Sequence, residues 1–241
     1  MTDTDVMKTM LKRLLVVVLF SIAFAYIESA VVVYLRAIFH AQGFQFPLQV
    51  FDLDALGRRL MMTEVGREAA TLVLIWTAAW LFGEKTQERW AYFLTIFAVW
   101  DIFYYVWLKV LLDWPACIMD WDVLFLIPMV WASPVLYPVL VSLAMLVIAV
   151  AVLWRGAKNQ AVSLSWLEWI AVVLGCVAIV GSFCLGGSHA TEANYADYFY
   201  WPLFAVGYGI AAGACVRALA RKAVQVAVVL EELQVVTISF L

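Results

Sequence analysis

Residues 100–109 (WDIFYYVWLK) place an ionisable side chain in the middle of a long apolar run. If the run is a helix, its period brings five side chains onto one stripe: Asp101, Tyr104, Tyr105, Leu108 and Lys109. An ionisable group inside a membrane is costly unless it faces a bundle interior or a water-filled cavity, and such groups usually mark function. We therefore predict that this stripe is one wall of an internal site.

Glu28 is a second carboxylate at a similar depth. It lies about ten residues before the C-terminal end of the first predicted span, which is roughly 15 Å at 1.5 Å per residue. Asp101 lies about eleven residues before the C-terminal end of the third span. We predict that the two share one site, in which a proton, a metal ion or a basic side chain balances their charge. A structural salt bridge or a protonated pair that locks the helices together is the alternative.

Residues 63–71 (TEVGREAAT) add a third charged group near the start of the second predicted span. Glu64, Arg67, Glu68 and Thr71 fall on one helical face because they are spaced by three or four residues. This arrangement lets Arg67 pair with either neighbouring glutamate or with Glu28. A capped helix start, in which the helix dipole favours acids in the first turn, is the alternative.

A histidine in the last loop, GGSHATEANYADY, suggests how a metal ion could be held. Imidazole together with carboxylates suits a hard cation or iron. The predicted metal ligands are Glu28, Glu68, Asp101 and His189. A solvated loop histidine is the alternative. Asp120 and Asp122 are spaced like ligands of a calcium loop, but the glycine and the terminal glutamate of an EF-hand are absent.

The elements that must position these residues are membrane helices. Of the 241 residues, 66% are hydrophobic, compared with roughly 45–50% in soluble domains. Since a membrane helix needs about 20 mostly apolar residues, we predict a single all-α, polytopic membrane domain. Its six spans are residues 14–38, 63–83, 90–112, 135–154, 166–186 and 199–218. The second span is extended back to Thr63, whose hydroxyl is predicted to cap the helix.

Three further segments do not cross the membrane in this prediction. Residues 123–134 are apolar but short, and Pro128, Pro134 and Pro138 break helical continuity. They indicate an interfacial or re-entrant segment, with one long kinked helix as the alternative. Loop 39–62 is predicted to be an extended piece followed by a short amphipathic helix that lies on the membrane as a lid. The tail 222–241 is predicted to be an interfacial or partner-facing amphipathic helix.

The distribution of basic residues predicts the orientation. With both termini cytoplasmic, ten Lys and Arg residues fall on the cytoplasmic side and five elsewhere. Positive residues accumulate on the cytoplasmic side of membrane proteins. Nine of the 18 acids and both histidines then fall on the opposite side, so the predicted site opens outward.

The composition and the absence of motifs exclude several classes of function. The net charge of −3 comes without any basic patch, so nucleic acid is excluded as a partner. GxSxG, HExxH and P-loop patterns are missing. Two histidines are too few for the histidine-rich di-iron sites of membrane desaturases. The four cysteines show no CxxC spacing, and the sequence leaves open whether Cys117 and Cys184 pair.

One resemblance adds a cellular setting. The run ERWAYFLTIFAVWDIFYYVWLKVLLDWPA, with EAATLVLIW upstream and WDVLFLIP downstream, resembles stretches of a family of bacterial polytopic inner-membrane proteins. It covers about the first 60% of the chain. The resemblance implies a bacterial inner membrane and brings no activity, ligand or fold with it.

Three functional hypotheses follow. The first is a pocket that binds a cation, either a metal ion or a coupled proton, and a small ligand. Its candidate residues are Glu28, Glu64, Arg67, Glu68, Asp101, Tyr104, Tyr105 and Lys109. The second is a non-catalytic subunit that assembles with partner chains or with copies of itself. The third is an enzyme acting on a lipid or isoprenoid head group, with Asp101 or Glu28 as general base and Arg67 holding a phosphate. The sequence does not decide whether the protein is an enzyme.

Overall fold

A computed structural model describes residues 3–40, 43–49 and 55–221, and within these ranges the chain forms six long helices, one small hairpin and a short 3-10 helix. The helices are α1 (Asp3–Phe39), α2 (Ala55–Phe82), α3 (Thr86–Leu112), α4 (Leu136–Ala157), α5 (Trp166–Ser188) and α6 (Trp201–Ala220). The hairpin consists of β1 (Trp121–Phe125) and β2 (Trp131–Pro134), and the 3-10 helix is Tyr195–Tyr198.

All six long helices in the described ranges are long and apolar enough to cross a membrane. Each predicted span overlaps one of them, so the prediction of an all-α polytopic helix bundle is confirmed. A helix satisfies its own backbone hydrogen bonds, which is why apolar runs of this length adopt it in lipid. The chain therefore belongs in a lipid bilayer.

The start of α2 differs from the prediction. The helix begins at Ala55, and the short amphipathic piece predicted for the preceding loop is its first part. Thr63 lies inside the helix, where its hydroxyl donates to the Arg59 carbonyl at 2.9 Å, so Thr63 is not the cap. The reason is that residues 55–62 (ALGRRLMM) contain mostly good helix formers and continue the helix toward the N-terminus.

The connection between α3 and α4 also differs. Residues 121–134 form an antiparallel hairpin, in which Asp122 faces Ser133 and Val123 faces Ala132, with a bulge before Phe125. The prolines do prevent a continuous helix, but β-branched and aromatic residues then favour short strands. The small residues Gly186 and Gly187 of α5 let the backbone of β2 approach closely. Non-helical backbone is tolerated in such a bundle where protein buries it or where it lines a cavity.

The helices pack around α3, which contacts α1, α2 and α4, while α5 packs against α6 and β2. Two hydrophobic clusters result. One joins α1, α2, α3 and α4 around Ile75, Ile96 and Trp100. The other, around Phe183 and Phe204, joins α5 and α6 to the hairpin.

Two predicted segments lie wholly or partly outside the described residues. The tail 222–241 lies outside the described residues, and so do residues 41–42 and 50–54 of the predicted lid. All four cysteines are within the described ranges and carry free thiols, so Cys117 and Cys184 do not pair.

Candidate functional site

A cavity of about 650 Å³ lies at the end of the bundle where α1 ends and α2 begins. Its walls come from the second half of α1, the first half of α2, the middle of α3, the hairpin, α4 and α5. Members of both hydrophobic clusters, including Trp100 and Phe183, contribute to the lining. The volume lies within the range of about 300–1,000 Å³ that is usual for small-molecule sites.

One face of α3 supplies the centre of the wall. Its lining residues are spaced at helical intervals: Phe93, Phe97, Trp100, Asp101, Tyr104 and Tyr105. The predicted stripe lines the cavity from Asp101 to Tyr105, but the lining face continues toward the N-terminus of α3 rather than toward Lys109. Asp101 is the acidic member of an otherwise aromatic surface.

Arg67 holds two glutamates on the α1–α2 side of the cavity. Its guanidinium forms salt bridges with Glu28 and with Glu64, and the Arg67 Nε to Glu64 Oε2 distance is 2.9 Å. The Thr71 hydroxyl donates to Glu28 Oε2 at 3.4 Å. Glu28 is 8% exposed. This group matches the interpretation of Glu28 as part of a salt bridge that joins two helices.

A second ion pair joins α1 to the hairpin. Arg36 contacts Asp122 at 3.0 Å, and the two residues are 9% and 2% exposed. The Arg36 guanidinium also lies between two rings, 4.0 Å from the centroid of Phe44 and 3.9 Å from that of Trp114. The Tyr104 hydroxyl donates to the other oxygen of Asp122 at 3.3 Å. Both oxygens of the Asp122 carboxylate therefore accept a hydrogen bond, and the Arg36 guanidinium is held by this carboxylate and by two aromatic rings.

The electrostatics of this end of the cavity follow from burial. Burial raises the pKa of the Asp122 carboxyl, and the charge of Arg36 opposes that rise. Burial also lowers the pKa of His40, and the neighbouring Arg36 charge lowers it further, so His40 is neutral at pH 7. The cavity therefore gains no positive charge from its histidine.

Glu68 and Asp101 have neutral partners. Glu68 is 7% exposed and accepts the Leu126 backbone N–H at 2.9 Å, and Asp101 accepts the Ser142 hydroxyl at 2.7 Å. Among the described residues, neither carboxylate lies within 4.0 Å of an arginine, lysine or histidine nitrogen. These two acids contrast with the other three lining the cavity, each of which has a guanidinium partner.

Seven of the eight predicted binding residues line this cavity; the exception is Lys109. Lys109 is exposed and pairs with Asp113 at 2.7 Å. Its neighbour on the predicted stripe, Leu108, is fully buried in the core. Lys109 is therefore not a cavity residue, because the last turn of α3 passes beyond the cavity.

The four predicted metal ligands do not form one group. In residues 3–40, 43–49 and 55–221, no three His, Cys, Asp or Glu side chains are grouped so that they could hold a metal ion. His189 is absent from the cavity lining. Its ring instead stacks on Tyr198 with centroids 3.6 Å apart, and its Nδ1 lies 2.7 Å from Glu192.

Several lining residues were not predicted from the sequence. Arg36 falls eight positions after Glu28, so helical spacing alone would have placed both on one face of α1. Asp122, Ser142 and the hairpin aromatics Phe125 and Trp131 carried no such signal, because strands with a bulge and distant helices place them in the wall.

The resemblance stated from the sequence has no counterpart in the comparisons with known proteins. No family model, curated protein or solved structure matches this chain. The function is therefore inferred from the geometry of the site.

Proposed function

We propose that this protein binds a cation inside its membrane domain, with the carboxylates of Glu68 and Asp101 neutralising the positive charge. The cation is a proton, an inorganic ion or the charged group of a small ligand. The observation that carries the proposal is the charge of the lining. Five carboxylates (Glu28, Glu64, Glu68, Asp101 and Asp122) face the cavity against two guanidinium groups, those of Arg36 and Arg67.

Together, the two arginines already form salt bridges with three of the five acids. Arg67 is shared by Glu28 and Glu64, and Arg36 belongs to Asp122. Charged groups removed from water are costly unless a partner compensates them, and that cost is greatest where the surroundings are apolar. A positively charged group placed beside Glu68 or Asp101 would supply the missing compensation.

The setting we propose is the bacterial inner membrane, with both termini in the cytoplasm and the cavity opening to the outside. The support is the excess of Lys and Arg in the segments that this orientation places inside. The resemblance noted in the sequence is the support for the bacterial assignment.

The two alternative functions have less support from the site. An enzyme that acts on a phosphorylated lipid head group would use Arg67 to hold the phosphate, but that guanidinium already contacts Glu28 and Glu64. Assembly with partner subunits or with further copies of this chain remains a prediction from the aromatic content. The assembly alternative does not account for the two carboxylates with only neutral partners, and the enzyme alternative gives a role, that of general base, to Asp101 but none to Glu68.

The test replaces the two carboxylates by their amides. Glu68→Gln keeps an oxygen for the Leu126 N–H, and Asp101→Asn keeps one for the Ser142 hydroxyl. The measurement is the thermal unfolding of purified protein in detergent at several pH values and with Na⁺, K⁺, Mg²⁺, Mn²⁺ or tetramethylammonium. We expect at least one cation, or protonation, to stabilise the native protein, by about 2.7 kcal/mol at 100 times its Kd.

The double variant is expected to lose this stabilisation, because the neutral amides do not attract the positive charge. Asp113→Asn is the matched control, since Asp113 is an exposed acid outside the cavity, and it should respond like the native protein. If the native protein and the double variant respond alike to every cation and to pH, the proposed function is wrong.

A further inference from the structure

We propose that the ligand of this cavity is an amphiphilic organic cation, in which an ammonium group is attached to an apolar body. This inference rests on the proposed function and assigns the chemical class of its ligand. The ammonium group lies between the carboxylates of Glu68 and Asp101 and a surface of aromatic rings, and the apolar body fills the remaining volume.

The aromatic surface is continuous and comes from three parts of the fold. We call it the aromatic wall; its members are Phe93, Phe97, Trp100, Phe125, Trp131 and Phe183. Neighbouring ring centroids are separated by 6.4, 5.5, 6.4, 5.6 and 6.3 Å in that order. All six residues line the cavity. Such a surface binds apolar groups and also attracts cations through the negative faces of its rings.

The two tryptophans of the wall face the cavity with the carbon atoms of their rings and not with their indole N–H groups. The indole N–H groups of Trp100 and Trp131 are buried and have no hydrogen-bond partner among the described residues. An N–H group that is closed off in this way does not act as a donor to a ligand. What these residues present to the cavity is therefore ring surface.

Both carboxylates with neutral partners border the wall. Asp101 follows Trp100 and lies one helical turn after Phe97, which places the carboxylate beside the ring on the same face of α3. Glu68 accepts the N–H of Leu126, the residue directly after Phe125. A cation in this part of the cavity can thus contact a carboxylate on one side and aromatic rings on the other.

The size and charge of the cavity disfavour other ligand classes. A bare inorganic ion would occupy a small fraction of about 650 Å³ and leave the aromatic wall without a partner. A neutral apolar molecule would cover the wall but leave Glu68 and Asp101 uncompensated. An amphiphilic cation would cover the aromatic wall with its apolar body and compensate the charge of Glu68 and Asp101 with its ammonium group.

The experiment compares two probes of the same shape. Benzyltrimethylammonium carries a quaternary ammonium group, and neopentylbenzene is its neutral carbon counterpart. Binding of each to the purified full-length protein in nanodiscs is measured by calorimetry, with the Glu68→Gln/Asp101→Asn double variant as the reference for partition into lipid. We expect the native protein to bind the cation at least about tenfold more tightly than the neutral probe.

Two wall variants test the aromatic contribution. Phe97→Leu and Phe125→Leu keep an apolar side chain but remove the ring, so each should reduce the preference for the cation over the neutral probe by about threefold or more. A purely structural role would change the affinity for both probes equally and leave that preference intact. Leu143→Val, on an exposed position outside the cavity, is the matched control.

The outcomes separate this inference from the proposed function. Equal affinity for the two probes, or a preference that survives in the double variant, overturns the inference. If Na⁺, K⁺, Mg²⁺, Mn²⁺ or protons stabilise the native protein through Glu68 and Asp101 while benzyltrimethylammonium does not bind, the ligand class is wrong and the proposed function stands. If no cation stabilises the native protein or binds to it through Glu68 and Asp101, the inference and the proposed function are both wrong.

Discussion

Replacing Arg36 with methionine is expected to destabilise the protein by about 3–5 kcal/mol, because it leaves a buried carboxylate without its cation. Asp122 is 2% exposed, and among the described residues Arg36 is the one arginine or lysine that forms a salt bridge with it. The change also removes the contacts of the guanidinium with Phe44 and Trp114. Since this pair ties α1 to the hairpin, we expect the cavity wall to loosen as well.

Thermal unfolding in detergent measures this effect, and an exposed ion pair provides the control. Lys109 and Asp113 also form a salt bridge, but Asp113 is fully open to solvent, so Asp113→Asn should leave the unfolding temperature unchanged. The double variant Arg36→Met/Asp122→Asn should be more stable than Arg36→Met alone, because no unpaired charge remains. An Arg36→Met protein as stable as Asp113→Asn would contradict the assigned role of this pair.

The loss caused by Arg36→Met should depend on pH. Burial raises the pKa of the Asp122 carboxyl, and without Arg36 the main opposing charge is gone. A group whose pKa is raised in the folded state contributes stability at low pH, and that contribution disappears as the pH rises through the raised pKa. The difference in unfolding temperature between the native protein and the Arg36→Met variant should therefore be smaller in acid than at neutral pH.

Gly187→Ala is expected to be the second severe change, with a loss of about 3 kcal/mol or more from overpacking. A Cβ atom at Gly187 would overlap the Val130 carbonyl oxygen and lie 2.5 Å from its carbonyl carbon. Both obstacles are backbone atoms, so rotating a side chain cannot relieve the clash. The hairpin would have to move away from α5, which would displace Val130 and Trp131 from the cavity lining.

The matched control is Gly213→Ala in α6, where a Cβ atom would meet nothing within 4 Å. Alanine favours a helix over glycine by about 1 kcal/mol, so this variant should be as stable as the native protein or more so. Unfolding temperature and binding of the stabilising cation are measured for both variants. Equal stability of the two would show that the close approach of α5 to the hairpin is not needed.

Helical periodicity accounts for what could be predicted about the site. Asp101, Tyr104 and Tyr105 share a face of α3 by spacing alone, and Glu64, Arg67 and Glu68 share a face of α2 in the same way. The cost of an ionisable group in lipid then requires these faces to point inward. These two rules bring the residues to one cavity without any knowledge of the helix order in space.

The rest of the site depends on contacts between distant parts of the chain. Arg36 and Asp122 are 86 positions apart, and their pairing requires the hairpin to reach back to α1. Residues 121–134 gave no periodic signal, since short strands with a bulge and prolines match neither a helix nor a regular alternation. That packing decides which acids have a guanidinium beside them. It also leaves Glu68 with only the Leu126 N–H and Asp101 with only the Ser142 hydroxyl.

The most direct measurement is a high-resolution map of the protein saturated with the cation that stabilises it most. The proposed function predicts density inside the cavity, in contact with the carboxylate of Asp101 or Glu68, that disappears in the Glu68→Gln/Asp101→Asn double variant. Density for the stabilising cation at a site outside the cavity, unchanged in the double variant, would contradict it.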